Sequence, residues 1–239
     1  MSELNVVLTS ESFIGIVAST VEAFKSEVGG LLFGDYYESV KKILVTQAIP
    51  LQTTDRKPTE VHFHPERTER VLSIWDDLSS YWPLGDFHSH PEYGGTVFPV
   101  DPSEEDKDFL QDDEIQLIVS IYEAVRSNEL GYIRERRRIS GAVGNYSIEM
   151  AAWYKDGSGD IREAELWCPY IHVINLSHEL GIVSRPGRLY NSDAMVSNRE
   201  LRTLRRLVRK YERAVFHSLN ENDPTLKDLK KVLKKIRDY

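Results

Sequence analysis

Residues 115–122 (IQLIVSIY) form an almost continuous apolar run, and this run constrains the fold more than any other stretch. A strand with one wet face alternates apolar and polar residues, whereas this composition is typical of a strand buried on both faces. Both faces of its sheet must therefore be covered. Helical periodicity at 10–27, 65–78 and 103–112 precedes or flanks the run, and strand-like segments cluster after it. The sequence predicts an α/β fold with a mixed β-sheet flanked by helices.

The charge of the chain changes along its length. Residues 1–159 carry 14 Lys/Arg against 27 Asp/Glu, a net charge of -13, while residues 160–239 carry 16 against 11, or +5. The later part contains two segments with apolar residues at helical spacing, 197–219 and 224–238. We therefore predict two domains, 1–165 and a mainly helical extension, 166–239, ending in a helical hairpin. The hairpin could serve a homodimer or dock a partner, and the acidic first part disfavours nucleic-acid binding.

Cysteine usage and hydropathy bear on the compartment. Cys168 is the single cysteine, so the chain forms no internal disulfide. The first apolar run has no basic segment before it, and no run reaches the ~20 residues of a membrane helix. We expect a cytoplasmic protein with no membrane partner.

The segment FHSHP contains two histidines, His88 and His90, separated by one residue. On an extended backbone both imidazoles point to the same side. A carboxylate at the start of a helix would supply a third ligand, and Asp106 follows Ser103 in PSEED as a typical capping pair. Two histidines and one carboxylate with an open fourth position are typical of catalytic zinc. Glu27, in SEVGGLLFG, is the upstream acid that could take a proton from water.

Together these residues resemble the JAMM (JAB/MPN+) zinc metalloproteases, whose pattern is an early Glu, then H-x-H-P, then S-x-x-D. The matching positions are Glu27, His88, His90, Ser103 and Asp106, and the resemblance extends over roughly residues 5–165. It implies an MPN-type (cytidine-deaminase-like) mixed sheet flanked by helices. It also implies that His88, His90 and Asp106 bind Zn²⁺, that Glu27 is the general base and that Ser103 stabilises the oxyanion.

One spacing departs from the family pattern. The family usually has seven residues between the second His and the Ser, whereas residues 91–102 make twelve here. A strict count of seven reaches Phe98 and makes Asp101 the ligand, without a serine. We favour Asp106, because Ser103 starts a helix well and a longer loop costs little free energy. Asp101 remains the alternative ligand.

The resemblance implies a deubiquitinase-like isopeptidase or peptidase that cleaves after the C-terminal Gly of a ubiquitin-like protein. The loops at 52–59 and 93–102 could hold the extended tail of such a substrate as an added strand. Two alternatives are a small-molecule or sulfur-carrier-type amidase of the same family and an inactive MPN-type scaffold. The complete set of Glu27, His88, His90 and Asp106 argues against the scaffold.

Overall fold

The computed structural model describes residues 3–51, 64–123, 130–133, 137–179, 198–218 and 223–237. The chain divides into two compact units, Met1–Cys168 and Pro169–Tyr239. We call them unit 1 and unit 2. None of the helices in the described ranges is both long and apolar enough to cross a membrane.

Unit 1 contains nine strands, three α-helices and a short 3-10 turn within its described residues. The strands are β1 (Asn5–Leu8), β2 (Gly29–Tyr37), β3 (Lys42–Pro50), β4 (Trp82–Pro91), β5 (Ile115–Glu123), β6 (Gly131–Ile133), β7 (Arg138–Val143), β8 (Tyr146–Lys155) and β9 (Ile161–Trp167). The helices are α1 (Ser10–Glu22), α2 (Pro65–Leu78) and α3 (Glu104–Phe109), and the 3-10 turn is Glu38–Val40.

The sheet of unit 1 closes into a barrel, so the prediction of an MPN-type open mixed sheet flanked by helices is wrong. Seven strands follow one another in the order β5-β4-β2-β3-β1-β9-β8, and β8 pairs back onto β5. The closing ladder is antiparallel and runs from Ile115 opposite Tyr154 to Glu123 opposite Tyr146. The other edge of the ten-residue β8 pairs with two strands. Residues 146–150 pair with β7, and residues 152–155 pair with β9. Closure removes the unpaired edges that an open sheet would present.

Strand β5 is buried on both faces, as its composition predicted: residues 115–121 are all buried. One of its faces is covered by a loop, however, and not by a helix. Ile118 packs with Val100 from the β4–α3 loop and with Ala151 and Trp153 of β8. An apolar strand sequence indicates that both faces of the strand are buried, but it does not indicate whether a helix or a loop packs on each face.

Helix α1 ends earlier than predicted. Its last residue is Glu22, and Lys25 takes a left-handed backbone conformation (φ 75°) in the turn that follows. Glu27 therefore lies on the connecting segment before β2, not on the helix as predicted. The helix packs against β3, β1 and β5, and its inner residues Phe13, Ile16 and Val17 are buried.

Unit 2 is helical in its described residues. Its helices are α4 (Tyr170–Glu179), α5 (Asn198–Ser218) and α6 (Thr225–Arg237), which confirms the two amphipathic segments predicted at 197–219 and 224–238. Helix α5 packs against α6, and both contact α4. Tyr211, Val215, Leu229 and Leu233 are among the buried side chains. Most of residues 220–223, between the two predicted segments, lies outside the described residues.

Candidate metal centre

Strand β4 presents three metal-binding or acidic side chains on one face. The two-residue repeat sets Asp86, His88 and His90 on that face, and turns Phe87 and Ser89 to the other, where both are fully buried. Gly85, next to this set, must be a glycine, because it has φ +132° and a Cβ there would lie 2.0 Å from the carbonyl oxygen of Ile115. The strand repeat thus gives Asp86, His88 and His90 one common face.

Helix α3 brings the third side chain. Ser103 caps the helix: its hydroxyl accepts from the Asp106 N–H at 3.1 Å, and the Asp106 carboxylate accepts from the Ser103 N–H at 2.7 Å. This capping box, predicted from the sequence, holds the Asp106 side chain at the helix start. Oδ1 of Asp106 then lies 3.3 Å from Nε2 of His88, and Oδ2 lies 3.8 Å from Nε2 of His90.

The three side chains have the spacing that a bound metal ion requires. The two Nε2 atoms of His88 and His90 are 3.1 Å apart, and one donor atom from each of the three residues lies within 4.8 Å of the others. Ligands at about 2.0–2.2 Å from a tetrahedral ion are separated from each other by about 3.3–3.6 Å. The His88–His90–Asp106 group could therefore hold a metal ion.

A second layer of contacts orients both rings. Nδ1 of His90 is 2.6 Å from the carbonyl oxygen of Pro99, so Nδ1 carries the hydrogen and Nε2 is left as the metal-binding atom. Nδ1 of His88 faces Oδ1 of Asp86 at 3.7 Å. A carbonyl or carboxylate behind each imidazole is the usual arrangement around metal-binding histidines.

The three groups strongly shift one another's pKa values. Burial opposes a charge on His88, but the neighbouring carboxylates of Asp106 and Asp86 outweigh it and raise the pKa of His88 well above its ordinary value. Burial and the neighbouring His88 charge lower the pKa of His90. Burial would raise the pKa of Asp106, but the hydrogen bonds from His88 and Ser103 hold it well below its usual range. Without a metal, His88 is therefore the imidazole that is doubly protonated and positively charged, and His90 is the neutral one.

Glu27 reaches this region through backbone pairing rather than through a helix. The N–H of Val28 donates to Oγ of Ser89 at 3.0 Å, and the N–H of Ser89 donates to the carbonyl of Val28 at 2.9 Å. Gly29 is the register partner of His88, so the same antiparallel register, continued by two residues, brings Glu27 level with His90. The Glu27 residue is only 9% exposed.

Asp101 lies outside the metal group. Its carboxylate pairs with Arg138 at 2.9 Å and is 54% exposed. The loop that carries Asp101 is anchored through its backbone carbonyls. Ser120 Oγ donates to the Phe98 carbonyl at 2.6 Å, and Trp153 Nε1 donates to the Val100 carbonyl at 2.9 Å. The twelve-residue segment 91–102 is thus held on the barrel wall.

Asp86, Ser89 and Arg138 contribute to the site and were missed by the sequence analysis. The two-residue repeat that identified His88 and His90 could also have identified Asp86, two positions earlier. Arg138 gave no such signal, because its partners Asp101, Glu149 and Glu163 are distant in sequence. The loop predicted at 52–59 lies outside the described residues.

No protein-family model matches the chain, and no curated protein sequence does. Among the solved structures that match is the solution structure of protein DSY2949 from Desulfitobacterium hafniense. The two sequences are 24% identical, and the match covers 68% of this chain and 92% of that chain with a TM-score of 0.46. A likeness of this size carries no argument about family or function.

Proposed function

We propose that the chain is a zinc-dependent isopeptidase or peptidase of the JAMM type. The observation that carries the proposal is the convergence of His88, His90 and Asp106 at the spacing of ligands around one tetrahedral ion. Two imidazoles and one carboxylate suit zinc and leave its fourth position free, which is the composition of a catalytic site rather than a structural one. Bound zinc would lower the pKa of a water to about 7 and polarise the amide carbonyl.

Glu27 is the proposed general base. It would accept a proton as water adds to the amide carbon, and it would return that proton to the departing amine nitrogen as the C–N bond breaks. The pairing of Val28 with Ser89 supports this role, because it brings a nearly buried carboxylate to the strand that bears His90.

Ser103 is the proposed oxyanion donor. Its hydroxyl oxygen accepts from the Asp106 N–H, so the hydroxyl proton stays available for a second hydrogen bond. A donor next to the third metal ligand would stabilise the negative oxygen of a tetrahedral intermediate. Asp86 and the Pro99 carbonyl would keep the two imidazoles oriented.

The proposed substrate is the C-terminal Gly of a ubiquitin-like protein joined to a lysine or peptide amine, and this choice derives from the motif resemblance. The loop at 93–102 supports it, because an anchored loop beside β4 offers a fixed wall to an extended peptide.

Cleavage by the zinc-loaded full chain tests the proposal. The substrate is a ubiquitin-like protein with its C-terminal Gly attached to a lysine side chain, and the product is the free Gly carboxylate. Glu27→Gln should keep zinc and lose roughly 100–10,000-fold in turnover. The matched control is Glu22→Gln, at the exposed end of α1, which should cleave normally.

Three other results would contradict the proposal. Near-normal turnover by zinc-loaded Glu27→Gln would remove Glu27 as the base. Cleavage of small amides alone would favour the amidase. A wild-type chain that binds no zinc would favour the scaffold.

A further inference from the structure

The exposed side of α5 is uniformly basic over three turns of the helix. Between positions 202 and 213, every exposed residue of this helix is basic. Successive members are one or three positions apart, so they form one stripe along the helix. We call this set the α5 basic stripe: Arg202, Arg205, Arg206, Arg209, Lys210 and Arg213. Glu212, the acid within the same stretch, is half-buried.

Helix α6 adds further positive charge to unit 2. Its exposed residues between 225 and 235 are Lys227, Asp228, Lys231, Lys234 and Lys235. Asp228 lies 3.8 Å from Lys231 and offsets part of that charge. The exposed residues of α5 between positions 202 and 213 include no acid, so α5 is the more uniformly basic of the two helices. Over residues 169–239 the sequence has 15 Lys/Arg against 8 Asp/Glu. The acidic character of the chain is thus confined to the other unit.

The chemistry of the α5 basic stripe separates three classes of partner. A membrane-binding helix inserts an apolar face, but the apolar residues Tyr211 and Val215 of α5 are buried. The core of a protein–protein interface is depleted of charge and enriched in aromatic residues, and the stripe contains neither an apolar nor an aromatic residue. Protein–nucleic acid interfaces are polar and strongly positive, as this stripe is.

We propose that the α5 basic stripe binds the phosphate backbone of nucleic acid without regard to sequence. With no aromatic side chain in the stripe, bases have no stacking surface, and phosphates are the groups it can recognise. The stripe is about 16 Å long at a rise of 1.5 Å per residue. One strand of a duplex presents about five phosphates over that length. The acidic charge that disfavoured nucleic acid belongs to a different compact unit.

Binding of the full chain to a short mixed-sequence DNA duplex, followed by fluorescence anisotropy, tests this proposal. About five phosphate contacts predict that affinity falls roughly 500-fold between 50 and 200 mM salt. A second duplex of scrambled sequence should bind equally well.

The variant Arg206→Gln/Arg209→Gln should reduce the slope of log affinity against log salt by about 2. Gln is a good helix former, and both positions are exposed, so the fold should be kept. The matched control is Arg67→Gln/Arg70→Gln, which removes the same charge from the exposed side of α2 and should leave the slope unchanged.

Four outcomes would overturn the proposal: no binding at 50 mM salt, a preference for one duplex, equal loss in both double variants, or competition by polyglutamate or phosphatidylserine vesicles that matches competition by DNA. The last would indicate an acidic protein or a membrane surface. Isopeptidase turnover is a separate readout and should not change in Arg206→Gln/Arg209→Gln.

Discussion

His88, His90 and Asp106 meet because two short-range rules act on them. The strand repeat brings both Nε2 atoms to one point, and the capping box fixes the Asp106 carboxylate against them. Both imidazoles face an oxygen atom on their far side, from Asp86 or from the Pro99 carbonyl. At the scale of single residues, the group is therefore preorganised for a cation.

We expect His88 and His90 to titrate on opposite sides of the ordinary histidine pKa in metal-free protein. His88, with its pKa raised by Asp106 and Asp86, should still be protonated at pH 8, and His90, with its pKa lowered by burial and by the His88 charge, should titrate below the ordinary histidine pKa. The carboxylates thus stabilise the metal-free fold below the unfolded-state pKa of His88, and this contribution is lost as pH rises through the folded-state value. Nitrogen chemical shifts of the two rings measure this, and titration of both near pH 6.5 would contradict it.

The same shift sets the pH dependence of metal binding. Metal needs a neutral imidazole, so it must displace the proton on His88. Affinity should therefore rise about tenfold per pH unit while that proton is held. An affinity that is flat between pH 6.5 and 8 would show that His88 is already neutral.

Local patterns predicted the His88–His90–Asp106 group but not the residues that support it. Short spacings in the sequence identify this group: His88 and His90 are two positions apart, and the capping pair Ser103 and Asp106 are three apart. Arg138 acts through Asp101, 37 positions away. A single sequence gives no sign of such a pair, because the contact exists only after the strands have assembled.

The loop between β4 and α3 is the element on which the metal group depends. It carries the Pro99 carbonyl that orients His90, and it leads into the helix that carries Asp106. Val100 packs against Ile118 and Trp153, and Arg138, which hydrogen-bonds to Asp101, lies with its guanidinium carbon 5.9 Å from the centre of the Trp153 ring. The length of this loop is evident from the sequence, but its anchoring to β5 and β8 is not, since a long glycine-bearing loop usually indicates flexibility.

Trp153→Phe should weaken this anchoring while keeping an aromatic ring. The Val100 carbonyl loses its donor, which costs about 1–3 kcal/mol when the group is buried. Denaturant unfolding should show that loss, and zinc affinity should fall as well. The control Trp82→Phe changes a residue that is 71% exposed and should alter stability by less than about 0.5 kcal/mol. Equal effects from the two variants would mean that the loop is not held by Trp153.

At the scale of the whole molecule, unit 1 is organised by the pairing of β5 with β8. Most elements were predictable, and α2 has the predicted bounds of residues 65–78. Barrel closure was not predictable, because it depends on which non-adjacent strands meet. An apolar β5 satisfies an open sheet between helices as well as a closed barrel.

Two introduced cysteines, one on β5 and one on β8, test whether the barrel closes. Tyr122 and Ser147 are register partners across the β5–β8 ladder. Opposed residues in an antiparallel pair have Cα atoms about 4.5–5.5 Å apart, within the range of a disulfide. Tyr122→Cys/Ser147→Cys should therefore oxidise to one intramolecular disulfide, detected by mass and by thiol labelling. One thiol, that of Cys168, should then remain, whereas three persistent thiols in the folded, oxidised variant would show that β5 and β8 do not pair.

The central claim is that Asp106 completes the metal centre and that Asp101 serves only the loop. Zinc content of Asp106→Asn and Asp101→Asn, purified side by side with wild type, tests it most directly. We predict about one zinc per chain in wild type and in Asp101→Asn, because an amide at 101 can still accept from Arg138. Asp106→Asn should retain little or none, because it loses one of only three protein ligands. Full zinc in Asp106→Asn together with an empty Asp101→Asn would contradict the account.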